Sequence, residues 1–117
     1  MSNKTSTAAG RAGAFARDES SVGRLAQFFP SATPVRLPVR VIADAGESEQ
    51  TVIEYGTSQE VLFASALPLE FGAHLRVRNV DGSFDAEAFV VALQFQGGHT
   101  AIAARFAHEV SNWIVKP

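Results

Sequence analysis

Val35-Arg36-Leu37-Pro38-Val39-Arg40-Val41 places an aliphatic residue at every second position. Successive side chains of an extended chain point to opposite faces. Val35, Leu37, Val39 and Val41 therefore share one side of a strand, and Arg36, Pro38 and Arg40 share the other. A helix would scatter the four aliphatics around its axis. Pro38 has no N–H to give to a ladder, which predicts an edge position or a bulge at this point.

The same period recurs downstream. Thr51–Tyr55 and Val61–Ala64 are the next two predicted strands, separated from the first by the polar turn Asp44–Glu49. Ala73-His74-Leu75-Arg76-Val77-Arg78 makes a fourth, with Ala73, Leu75 and Val77 inward and His74, Arg76 and Arg78 outward. Asp81-Gly82 signals a hairpin. The fifth and longest strand runs over 86–95, with Phe89, Val91, Leu93 and Phe95 in step, and Gly97-Gly98 turns it into a sixth at Ala101–Phe106. Short strands with turns every ~8–12 residues predict an all-β fold, a small six-stranded antiparallel barrel. The alternation predicts a core of Val39, Val41, Ile53, Leu62 or Phe63, Leu75, Val77, Phe89, Val91, Leu93, Ile102 and Phe106.

Around this barrel, at 35–117, the chain is less regular. Residues 20–34 read as a short helix and linker: Ser21 is placed to cap, Val22, Leu25, Phe28 and Phe29 fall near one face, and Pro30 and Pro34 follow. Residues 1–19 are rich in Ser, Thr, Ala and Gly with Phe15 as their one aromatic, which predicts a disordered tail; an organelle transit peptide is the alternative. His108–Val115 is expected to form a short helix or strand that packs Trp113 on the barrel.

Composition bounds the chemistry. A chain of 117 residues supports one core, and its 46% apolar and 19% charged residues are ordinary for a globular protein. With no cysteine, disulfides and thiolate metal sites are excluded. No apolar run approaches the ~20 residues that span a bilayer, so no membrane insertion is expected. The expected address is the cytoplasm. Lys4, Arg11, Arg17 and Arg24 outnumber Asp18 and Glu19 in the first 34 residues, whereas the remainder carries six basic and ten acidic side chains. The barrel region repels polyanions in bulk, which argues against DNA as a partner.

Catalytic signals are missing from the sequence. Gly97-Gly98 precedes a strand rather than a helix, so it is no phosphate loop, and no Gly-x-Ser-x-Gly elbow is present. His74, His99 and His108 lack recognisable ligand spacing, so neither a metal nor a cofactor is expected. The chain is expected not to be an enzyme. His74, Arg76 and Arg78 form the most positive outward patch, either a solvated strand face or a contact for an anion or partner.

Four stretches in this order resemble the PilZ domain family, small bacterial β-barrels that typically bind cyclic di-GMP. They are Leu37-Pro38-Val39-Arg40-Val41, the segment Ser58 to Phe63, Leu69-Glu70-Phe71-Gly72-Ala73-His74-Leu75-Arg76-Val77, and Ala101–Phe106. The resemblance covers about residues 35 to 107. It implies a regulatory module with an RxxxR pair before the first strand and a [D/N]xSxxG segment at the turn between the second and third.

Paired guanidiniums suit guanine edges and phosphate, and the glycine allows close backbone approach. Arg36 and Arg40 match RxxxR, and Ser58 stands at the family serine, so these three are the implied ligand residues. The arginines lie inside the strand, ~13 Å apart along it, and Phe28 and Ala32 stand where the family pair would be. Gly56 occupies the Asp/Asn place and Val61 the Gly place. Two readings follow: a cyclic di-GMP receptor with weakened motifs, or a PilZ-like barrel that has lost the nucleotide and binds a protein partner.

Overall fold

The alternation at 35–41 becomes the middle of an eleven-residue strand in the computed structural model, which describes residues 20–117. The strands are β1 Thr33–Ala43, β2 Ser48–Gly56, β3 Glu60–Ser65, β4 His74–Asn79, β5 Asp85–Gln96 and β6 His99–Phe106. Every pairing is antiparallel, and the wall runs β1-β2-β3-β6-β5-β4 and closes from β4 back to β1. The expected six-stranded antiparallel barrel is therefore the observed one. The tail expected at 1–19 lies outside the described residues.

Closure explains how Pro38 is tolerated. It pairs with Val52 of β2, but the ladder to β4 begins only at Val39, opposite Asn79. Pro38 thus sits where β1 has a neighbour on one side alone, and a register irregularity falls between Pro34 and Leu37.

The barrel is filled by alternate residues of each strand, among them Val39, Val41, Ile53, Val61, Phe63, Leu75, Val77, Val90 and Ile102. Phe63, rather than Leu62, points inward. Leu62 is equally buried but lies on the outer wall, under the helix α1, Ser21–Ala26. There Val22 and Leu25 of α1 pack on Leu62, Ala101 and Ala103. Outward alanines on β6 leave room for the helix to approach closely. Ser20, not Ser21, is the cap: its Oγ accepts from Gly23 N–H at 2.8 Å. Phe28 is exposed, while Phe29 packs on the small cluster.

β5 departs from its predicted register. Its inward residues are Phe84 just before it, then Ala86, Ala88 and Val90, so Phe89 faces outward and is 40% exposed. The aromatic and branched residues attracted the prediction, but the inward positions of this half-strand hold small ones. A bulge between Val90 and Ala92 shifts the phase. Val91 and Ala92 turn to the helix cluster, Leu93 packs against the interior, and Phe95 projects into solvent. The last segment forms neither helix nor strand, but Trp113 is buried as expected.

Core truncation tests this register. Phe63→Ala should cost ~3–5 kcal/mol in urea unfolding. Phe89→Ala should cost under ~1 kcal/mol, because the side chain stands outside the core, 40% exposed, with its ring 5.2 Å from that of His74.

Candidate functional site

The turn between β2 and β3 is built around a carboxylate. Thr57 N–H donates to Glu60 O at 2.9 Å, and Thr57 Oγ1 accepts from Glu60 N–H at 2.9 Å and from Gln59 N–H at 3.1 Å. The same hydroxyl donates to Glu60 Oε1. Arg105, opposite Glu60 on β6, donates Nε–H and Nη2–H to Glu60 Oε2 at 2.9 and 2.7 Å. Glu60 is buried, so its charge is held by a guanidinium and a hydroxyl instead of water.

Trp113 closes this turn from the side. Its indole N–H donates to Thr57 O at 2.6 Å, and its ring stacks near Phe84 and Phe106, with centroids 5.2 and 5.5 Å away. A Cβ on Gly56 would lie 2.5 Å from Trp113 Cζ2. Gly56 is thus required by the indole and not by its backbone, whose φ is not in the left-handed region. Val61, opposite Gly56, is fully buried among core residues.

The candidate ligand residues are spread over three depressions. Ser58 lines a cleft of about 520 Å³ between the β2–β3 turn and the final segment, with Arg105, His108 and Lys116 on its walls. Arg36 borders a second depression with Ser20, Glu54 and Tyr55. Arg40 borders a third with Gln50, Arg78 and Val80, and its Nη1–H donates to Ser48 Oγ at 3.0 Å. None of these three depressions brings two of the residues together.

The outward patch on β4 is matched by acids on β5. Arg76 stands opposite Glu87 and Arg78 opposite Asp85. Arg76 reaches Asp85 at 2.7 Å and Glu87 at 3.1 Å, and Arg78 Nε lies 3.3 Å from Asp85. His74 Nδ1 is 2.7 Å from Asp44 Oδ1, and its Nε2 is 3.7 Å from Glu87. Asp85 and Glu87 are thus the acids of a cross-strand charge ladder. Their i, i+2 spacing, mirrored by Arg76 and Arg78 across the Asp81-Gly82 hairpin, is the signal for this ladder.

The hydrogen bond to Asp44 raises the His74 pKa above its ordinary 6.5, with a further push from the Glu87 charge. Bonds to Asp85 hold Arg76 more firmly protonated, and the Ser83 backbone N–H lowers Asp81. The Glu60–Arg105 pair, separated by 45 residues, carried no local sequence signal. Among the described residues, no group of three metal-ligating side chains is gathered and no helix is long and apolar enough to cross a membrane.

No protein-family model matches this sequence, and no curated protein does. Among solved structures, the Bacillus subtilis inhibitor of motility (MotI/DgrA) aligns with a TM-score of 0.55 at 15% identity. The alignment covers 69% of this chain and 43% of that one, so this chain spans less than half its length. At that identity the likeness is one of fold. The fold is PilZ-like.

The His74 contact sets a pH dependence. Because its folded pKa is raised, its contribution to stability is complete below pH ~6.5 and is lost as pH rises through the folded value. In an NMR titration, Asp44→Asn should return the His74 pKa toward ordinary. An unchanged midpoint would show that Asp44 does not hold the ring.

Proposed function

We propose that this PilZ-like barrel is a non-enzymatic regulatory module that acts through protein contact, its cyclic di-GMP motif having been given over to structure. The observation that carries the reading is the indole of Trp113 against Gly56. At the place where the family has a base-reading Asp or Asn, any Cβ would collide with that ring. At the place where it has Gly, Val61 fills the barrel interior. Restoring the motif by Gly56→Asp and Val61→Gly would therefore drive a side chain into Trp113 and hollow the core. Arg36, Arg40 and Ser58 remain the residues by which a nucleotide would be held if the receptor reading applied, but they border separate depressions.

Partner contact is supported by apolar side chains left on the surface. Phe71 is 75% exposed and lies one residue before Gly72, whose N–H donates to Val90 O at 2.8 Å. That bond sets Phe71 beside the β5 segment that presents Phe89. Exposed aromatics are the residue type enriched where proteins meet.

Cyclic di-GMP titrated into the purified chain should give no saturable heat and no change in Trp113 fluorescence at ~100 µM ligand. The chain has one tryptophan, and it sits at the turn in question. Binding in the low micromolar range, abolished by Arg40→Ala, would overturn the reading in favour of a receptor.

A further inference from the structure

Arg40 of β1 and Arg78 of β4 are register partners, directly opposite on the outer wall. Opposed residues on a sheet have Cβ atoms ~5 Å apart, where like charges destabilise the pair. On the neighbouring strands two guanidiniums face carboxylates: Arg76 meets Asp85 and Glu87, and Arg105 meets Glu60. Arg40 differs. Among the described residues its hydrogen-bond partner is the neutral Ser48 hydroxyl, and no carboxylate lies within ion-pair distance. Arg78 turns its Nε to Asp85, which leaves its terminal nitrogens for another acceptor.

We propose that this Arg40–Arg78 pair is an anion site for the phosphoryl group of a small organic phosphate monoester. The pair lies in a depression of about 540 Å³, a volume that suits a small ligand. The two arginines border one depression, Arg40 reaching toward Ser48 on β2 and Arg78 toward Asp85 on β5; a dianion seated between them would draw on both, and forked guanidinium donors match phosphate oxygens. Gln50, opposite Arg40 on β2, adds a neutral donor in the same row.

The rest of the ligand meets a different surface. Pro38 and Val52, opposite each other one row away, and Val80, 87% exposed, give the depression an apolar flank. A flat or aliphatic group esterified to the phosphate would cover it. Residues 35–117 carry an acidic excess, which disfavours a long polyanion and leaves a compact one as the fitting occupant. The site stands apart from the turn closed by Trp113 and does not depend on the protein-contact reading.

Phenyl phosphate and inorganic phosphate at pH 8, each titrated into the full chain while the arginine side-chain N–H signals are followed by NMR, test the site. Sodium chloride at matched ionic strength is the reference. Phenyl phosphate should give saturable shifts at Arg40 and Arg78 with a Kd of order 1 mM or tighter, and should bind more tightly than inorganic phosphate. Arg40→Gln and Arg78→Gln should each weaken binding about tenfold, and Arg36→Gln, on the same face of β1, should leave it unchanged. Without ligand, Arg40→Gln should melt at the same temperature as the parent or higher, since it removes a like-charge pair. Shifts reproduced by sodium chloride, no saturation, an equal loss in Arg36→Gln, or a lowered melting temperature in Arg40→Gln would each overturn the proposal.

Discussion

The packing of one indole against one glycine organises the end of the barrel. Trp113 arrives from an irregular segment with no ladder to hold it, and its position is set by what it touches: Phe84, Phe106, the Thr57 carbonyl and the face of Gly56. Because the ring occupies the space of a Cβ, β2 ends with its backbone bare, and the turn that follows is tied by Thr57 and Glu60 to itself and to Arg105 on β6. Strand closure, turn geometry and the seat of the final segment are therefore one packing problem. The same contact removes the side chain that a PilZ-type ligand motif would need at that place.

Much of the charge on the outer wall is paired across strands. Asp44, Asp85, Glu87 and Glu60 are each set against a base on a neighbouring strand or turn. Exposed pairs of this kind contribute little each to stability, ~0–1 kcal/mol, but they leave the β4–β5 face nearly neutral, so it is no basic patch for a polyanion. Glu60 is a different case, since its burial makes the Arg105 guanidinium necessary to it. Against this background Arg40 keeps its charge beside Arg78 without a carboxylate of its own among the described residues.

The barrel was legible because most strands obey a period of two, and β1 and β4 state it without interruption. Leu75 and Val77 lie inside, and His74, Arg76 and Arg78 outside, as their alternation requires. The reading failed where hydrophobicity and position disagree. In β5 the large residues Phe89 and Phe95 face solvent, the small Ala86 and Ala88 face the core beneath Phe84 and Trp113, and a bulge at Val90–Ala92 changes phase midway. A bulge has no dependable signature in a run of aliphatics, and side-chain size is no guide when the opposite wall supplies the volume. The site was less legible still. Glu60 with Arg105, and Gly56 with Trp113, are pairs 45 and more residues apart, joined by strand order, which alternation does not reveal.

Whether Gly56 is a glycine because of Trp113 is open to one direct measurement, a double-mutant cycle on unfolding free energy. Gly56→Ala in the parent chain should cost ~1–3 kcal/mol, because the new methyl must displace a buried ring. In a Trp113→Leu background the six-membered ring is gone, and the same substitution should cost little, giving a coupling of at least ~1 kcal/mol. Costs that simply add, to within ~0.5 kcal/mol, would mean that the indole does not dictate the glycine, and the account of this end of the barrel would fail with it.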